Sequence, residues 1–306
     1  MGVSMASGST SHSGIYTPEI WSGKTLLKFY KAAVLADISN TDYEGEIKSK
    51  GDVVKIRTVP DITINDYEIN QKLNYERPTS GLVELAIDKG KYYAVAINDV
   101  ERIQSDINYV NKWSDDAGQQ LAIEIDRSCL ADFYADADAE NKGLTAGAVS
   151  ESISMGVSGT PLEVTKTNIL EVIVDMGTIL DEQNRPTSER FCVLPAIMTG
   201  LIKKSDLKDA SLSGDGTSIL RNGLIGGIDH FKIYSSNNLA SVTDGSDLVF
   251  NVVAGHKSAL TFASQLTKNE TLKNPDDFGD LMRGLQVYGY KVIQPKSLIH
   301  GYFTKG

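Results

Sequence analysis

Apolar and polar residues change period several times along this chain, and each change marks an element. Thr17-Pro18 reads as a helix start, a hydroxyl cap followed by proline in the first turn. Ile20, Lys24, Leu27 and Lys31 then share one face, with Trp21, Leu26, Phe29, Ala33 and Val34 as apolar contacts, so the pattern predicts a helix to about Leu35, broken by "DISNTDYEGE". Over 45–98 the period drops to two. "DVVKIRTV" puts Val54, Ile56 and Thr58 on one side and Val53, Lys55 and Arg57 on the other, and "LVELAID" and "KYYAVAIND" alternate likewise. These are strands. The first two are separated by a polar stretch, "PDITINDYEINQKLNYERPTSG", with only scattered aliphatics. The pair predicts a long hairpin, and a two-stranded ribbon is marginal in water unless something covers it.

Beyond the hairpin, Ile103, Ile107, Val110, Ala117, Leu121, Ile125 and Phe133 repeat at helical spacing, with Asp115, Asp116, Glu124 and Asp132 off that stripe. About 30 residues at 1.5 Å each make a rod of roughly 45 Å. Residues 136–162 predict loops with a short hairpin. A helix after Thr167 carries Leu170, Ile173, Val174, Gly177 and Leu180; "RFCVLP" is a buried strand and "AIMTGLIKK" a short helix, followed by a Ser/Asp/Gly loop over 206–222. "HFKIYSS" is a strand, "LVFNVVAGHKSALTFASQL" a strand leading into a helix near His256, and "GLQVYGYKVIQPKSLIHGYF" a closing pair of strands. Strands and helices do not alternate regularly, which points to α+β.

Composition narrows the function. Of 306 residues, 41% are apolar and 23% charged, an ordinary globular balance. The net charge of −10 argues against a nucleic-acid coat, which needs clustered Lys and Arg, but not against a protein that encloses DNA without gripping it. Cys129 and Cys192 lie in separate apolar runs and read as reduced core thiols. With no basic-then-apolar leader and no membrane-length apolar run, the expectation is a soluble protein made in a cytoplasm. The Ser/Gly-rich residues 1–14 form no core of their own, and a neighbouring subunit is the simplest thing to hold them.

The candidate chemistry fails motif by motif. "SGKT" at 22–25 is the tail of a phosphate loop, but the glycine needed five positions before Gly23 is Pro18, and Gly23, Lys24 and Thr25 lie inside a predicted helix. "DADAEN" (136–141) opens like a calcium loop, yet Asn141 and Gly147 stand where that loop needs glycine and a bidentate glutamate. The better reading is solvated acid at a helix end. "GLIGG" (223–227) lacks the dinucleotide spacing and precedes a strand. His12, His230, His256 and His300 never pair at ligand spacing. No catalytic residue, cofactor or metal site is expected.

The order of elements is more specific than any motif: arm, short helix, exposed hairpin, rod-like helix, compact α+β remainder. With "YEGEIKSKGDVVKIRTVPDITINDY", "RFCVLPAIMTGLI", "GLIGGIDHFKIYSSNNL", "GHKSALTFASQL" and "MRGLQVYGYKVIQPKSL", it resembles the major capsid proteins of tailed bacteriophages over residues 17–299, a fold also used by herpesvirus shells. The resemblance implies an N-terminal arm and short helix (1–40), an extended hairpin loop lying over a neighbouring subunit (41–98), and a peripheral domain with a spine helix (99–184). An axial domain around five-fold and six-fold axes (185–270) and C-terminal strands returning to the peripheral domain (271–306) complete it. It implies a shell of pentamers and hexamers, assembled in the host bacterial cytoplasm and enclosing double-stranded DNA in the virion without sequence-specific binding. A portal protein would occupy one vertex, and no membrane is involved. A cargo-enclosing compartment of the same fold is the alternative.

Further expectations follow from the residues. Only about 16 residues precede the first predicted helix, too few for a built-in scaffold, so a separate scaffolding protein is expected. Lys48, Lys50, Lys55 and Lys72 are available on the hairpin, but no covalent cross-link is expected. Candidate inter-subunit contacts are Trp21 on the first helix and the hairpin charges Asp61, Asp66, Glu68, Lys72, Glu76 and Arg77.

Overall fold

A computed structural model describes residues 33–42, 53–57, 60, 62–98, 109–205, 227–275 and 277–306. The first described element is a helical turn, α1 (Leu35–Ile38), capped by Val34; residues 33–34 are not helical, so a new turn begins at Leu35, where the expected helix was to end, and runs into the stretch expected to break it. Helix over 17–32 lies outside the described residues, as do the arm, the start of the rod-like helix at 103–108 and the loop 206–222.

The hairpin forms as the alternation requires. β1 (Val53–Arg57) and β2 (Leu82–Ala86) pair antiparallel, Val54 opposite Leu85 and Ile56 opposite Val83. Those four residues face inward and pack with Ile87, Ala263, Val287 and Ile293, so the root of the ribbon has its own small core. The other face carries Lys55 and Glu84, 3.4 Å apart and exposed. Gly289 is required at this root, because a Cβ there would collide with the Ala86 carbonyl oxygen.

Two residues after β2 the chain enters β3 (Lys89–Asn98), the edge of a three-stranded sheet ordered β10 (Leu260–Lys273), β11 (Gly279–Val292), β3. Helix α2 (Tyr109–Leu130) packs on it. The helix stops at Leu130, and Phe133 falls in the 3₁₀ turn Phe133–Asp136. Its described 22 residues span about 33 Å. Ile125, Cys129, Leu130 and Phe133 are buried with Leu260, Tyr288 and Val292 of this sheet.

The remaining strands form a second sheet, ordered β4 (Leu162–Val164), β12 (Leu298–Lys305), β9 (Asp247–His256), β5 (Arg190–Leu194), β7 (Phe231–Ser235), β6 (Gly227–Ile228), with β8 (Ser241–Asp244) also on β9. β5 is buried along its whole length because both faces are covered. Cys192 and Leu194 face α3 (Ile169–Glu182) and α4 (Ala196–Lys204) through Ile173, Met176, Leu180, Met198 and Ile202. Phe191 and Val193 face the cluster built on α2. On α3 the buried stripe is Ile169, Val172, Ile173, Met176, Ile179 and Leu180; Val174, placed inward by the sequence pattern, is exposed.

Two readings of the C-terminal third are corrected. His256 ends β9, and only the 3₁₀ turn Lys257–Ala259 separates it from β10, where a helix was expected. The apolar spacing of "ALTFA" suits either structure, and a ladder with β11 running from Leu260↔Val292 to Lys273↔Asp280 decides for strand. β11 and β12 are both strands but do not pair. The turn at Pro295–Ser297 passes the chain from one sheet to the other, where β12 lies antiparallel to β9 and parallel to β4. Among the described residues no helix is long and apolar enough to cross a membrane.

Candidate assembly interface

The acids of "DADAEN" are engaged within the subunit. Asp136 pairs with Lys291 at 3.4 Å, Asp138 accepts from the backbone of Glu140, and Glu140 accepts from Gln183 and faces Lys296. Asn141 is buried and donates to the carbonyls of Lys296 and Leu298. Residues 18–25 and 223–226 lie outside the described residues. Both cysteines are buried free thiols, and burial pushes the Cys192 thiol up to about 12. The Nε2–H of His300 donates to Asn251 Oδ1 at 2.9 Å and the ring packs on Tyr134, and burial, then the charge of Lys142, lowers its pKa to about 4.

The hairpin tip stands in solvent. Residues 62–81 are exposed and carry no regular secondary structure. A turn at Glu68–Gln71 reverses the chain, with the Gln71 N–H donating to the Glu68 carbonyl (3.1 Å) and the Glu68 N–H to Gln71 Oε1 (2.9 Å). Asn70 takes the left-handed conformation at φ +67, which asparagine tolerates better than most residues. Glu76 holds the two limbs together by accepting from the Thr63 N–H at 2.7 Å.

Of the charges expected here, Asp66, Glu68, Lys72, Glu76 and Arg77 are all on the exposed tip, and Lys72 and Arg77 make no ion pair among the described residues. Trp21 and Asp61 lie outside the described residues. The structure adds what the emphasis on charge passed over. Ile62, Ile64, Tyr67, Ile69, Leu73 and Tyr75 are exposed as well, Ile64 at 90%, Ile69 at 85% and Tyr75 at 86%. They come in pairs two apart, 62/64, 67/69 and 73/75, a period-two signal legible in the sequence. Apolar side chains gathered on one projecting loop mark an interaction surface.

Among the described residues nothing covers one face of the three-stranded sheet. Tyr92, opposite Leu285, and Leu272 are exposed there, beside Glu270, which Lys268 and Arg283 hydrogen-bond and hold below the usual carboxylate range. At the β10–β11 turn Phe278 also points into solvent.

Residues 83–301 match the family model described as phage capsid protein. The chain belongs to the phage capsid protein family. No curated protein matches it by sequence. Among solved structures it is similar to that of Mycobacterium phage Che8, at 28% identity and a TM-score of 0.76, covering 93% of this chain and 96% of that one. The capsid of cyanophage P-SCSP1u shares the fold at 16% identity and a TM-score of 0.72, covering 95% and 93%. The mature capsid of bacteriophage PhiM1 does so at 15% identity and a TM-score of 0.66, covering 94% and 91%. This capsid chain is a structural protein, a major capsid protein that forms the head shell.

Proposed function

We propose that this subunit self-assembles, as pentamers and hexamers, into an icosahedral shell that encloses double-stranded DNA, and that the hairpin tip 62–80 is its connector to a neighbouring copy. The observation that carries this is the tip itself: six large apolar side chains and five charges, all in solvent, on a ribbon whose root alone is packed. The subunit has no catalytic role. The net charge of −10 supports retention of DNA by enclosure rather than by a basic lining. The partners proposed are copies of itself, a portal protein at one vertex and a separate scaffolding protein during assembly in the host cytoplasm, on the strength of family membership.

The division of labour proposed is a hairpin loop (41–98), a peripheral part built on α2 and an axial part around β5. The packing supports drawing the axial part more widely than 185–270, because α3 and β12 share its core. It also supports giving β10, from residue 260, to the peripheral sheet with β11 and β3. Electron microscopy of the purified chain tests the reading. Closed shells, tubes or rings are expected, and a uniform monomer at all concentrations overturns it. Nucleic acid recovered from native particles separates a virus shell from a compartment for other cargo.

A further inference from the structure

The two sheets meet at a buried carboxylate. Asp126 stands on α2 beside Ile125 and is 1% exposed. The segment 33–40 lies with α2 on the side of the three-stranded sheet: the Asn40 N–H donates to the Leu260 carbonyl (2.8 Å) and the Phe262 N–H to the Asn40 carbonyl (3.0 Å), both partners on β10. Helix α1 has no side-chain cap from its own N-cap residue, Val34. Asp126 supplies one from α2, its Oδ1 accepting from the N–H groups of Val34 (2.9 Å) and Leu35 (2.8 Å).

Asn238 reaches the same carboxylate from the other sheet. It follows β7, in a segment pinned at both ends. The Ser236 N–H donates to the Leu194 carbonyl on β5 (3.0 Å), and the Asn251 N–H on β9 donates to the Ala240 carbonyl (2.9 Å). Asn238 Nδ2 then donates to Asp126 Oδ2 at 2.6 Å. Apolar contacts also cross this joint, Ile125 and Leu130 of α2 sharing a cluster with Phe191, Val193, Leu239 and Val253. Apolar contacts can slide, whereas a hydrogen bond holds a direction. Stability alone does not call for a carboxylate here, because burying a charge is costly and packed apolar residues of similar volume often serve as well.

We infer that Asp126 is a positioning residue for assembly: it holds α1, α2 and the Asn238 segment in one arrangement, and so fixes the angle between the two sheets at which copies meet. The inference rests on the assembly reading above and names a residue that governs its outcome. A ring or shell forms only where the rotation from copy to copy closes. An angular change inside the subunit is repeated in every copy, so small errors accumulate around the shell. A subunit without this clasp folds but closes poorly.

The test is electron microscopy of particles formed by the full chain, with stability matched. Asp126→Ala is compared with Met176→Ala, a truncation at a fully buried position of α3 in the other cluster. Each variant is assembled equally far below its own melting temperature. The ratio of closed, uniform particles to open sheets, spirals and tubes should fall at least about tenfold for Asp126→Ala, as expected when hydrogen bonds to a charged group are lost. Met176→Ala should keep the parent's ratio. Asn238→Ala leaves both bonds to α1 in place and cuts the tie to the second sheet, so it should lower the ratio too, and it carries the test if Asp126→Ala does not fold. Parent-like closure by Asn238→Ala, or an equal loss of closure in Met176→Ala, overturns the inference and leaves the assembly reading standing. Failure of the parent chain to form any particle sinks the assembly reading itself.

Discussion

Replacing Asp126 with alanine removes a buried carboxylate that ties three parts of the subunit together. Oδ1 accepts from the backbone N–H of Val34 (2.9 Å) and Leu35 (2.8 Å), which open α1, and Oδ2 accepts from the Asn238 side chain (2.6 Å) beyond β7. Hydrogen bonds to a charged group contribute about 1.5–3 kcal/mol, and the stranded donors would stay buried. Urea unfolding of the free subunit should show Asp126→Ala destabilised by about 2–3 kcal/mol, with Asp126→Asn between it and the parent. His300 sets a pH dependence. Its folded pKa, about 4, lies below the unfolded value near 6.5, so the unfolded chain binds the proton first as pH falls. The contribution is present above 6.5, is lost progressively from 6.5 to 4 and levels off below. It amounts to about 3 kcal/mol at most, at 1.36 kcal/mol per pKa unit. Subtracting the unfolding profile of His300→Gln from that of the parent should isolate this slope from the carboxylates that titrate nearby, and a flat difference would refute it.

At the scale of the element, the hairpin divides into a root that belongs to the subunit and a tip that does not. Val54, Ile56, Val83 and Leu85 pack against Ala263 and Val287, whereas residues 62–80 are exposed throughout. Replacing 61–80 with Asn-Gly, a favoured two-residue hairpin turn, should leave the circular dichroism and melting temperature of the subunit nearly unchanged and abolish shells in the microscope. Unfolding would place the tip in the core. Normal shells would show that it is no connector. Reversing Lys72 and Arg77 to Glu should weaken assembly, and light scattering should show the deficit shrinking as salt rises, because exposed charges are screened over about 8 Å at physiological ionic strength.

For the whole molecule, charge and topology act together. A net charge of −10 argues against a general grip on DNA. Free subunit should show no tight binding in a filter or anisotropy assay at physiological salt, far weaker than the ~10⁻⁸ M typical of specific binders. Tight, salt-sensitive binding would contradict enclosure as the mode of retention. Strands that are consecutive in sequence, β9 then β10 and β11 then β12, lie in different sheets, so the chain crosses between the sheets twice in the last 60 residues or so. Those crossings hold the sheet beside α2 and the sheet around β5 as one body, through Leu260, Val292 and Leu298 in a shared cluster.

Local pattern alone determined most elements here. Alternation placed β1, β2 and β3, the continuous apolar run placed β5, and "AIMTGLIKK" placed α4 residue for residue, because in each the burial pattern and the local propensity agree. The period-two apolar pairs on the tip were legible too. What only tertiary structure decided were the facts that depend on distant partners. Near His256 the local spacing suited a helix as well as a strand, and the ladder with β11 chose the strand. β11 and β12 look like a pair until their neighbours are known. Arg190 opens an apolar run yet is 2% exposed, its guanidinium donating to Asp181 and to the carbonyls of Pro186 and Arg185. Asp126 looks like another helix-surface acid until α1 and Asn238 reach it from more than 90 residues away. Periodicity reports which way a side chain faces along its own element; what meets it there is set by chain closure, which no local window contains.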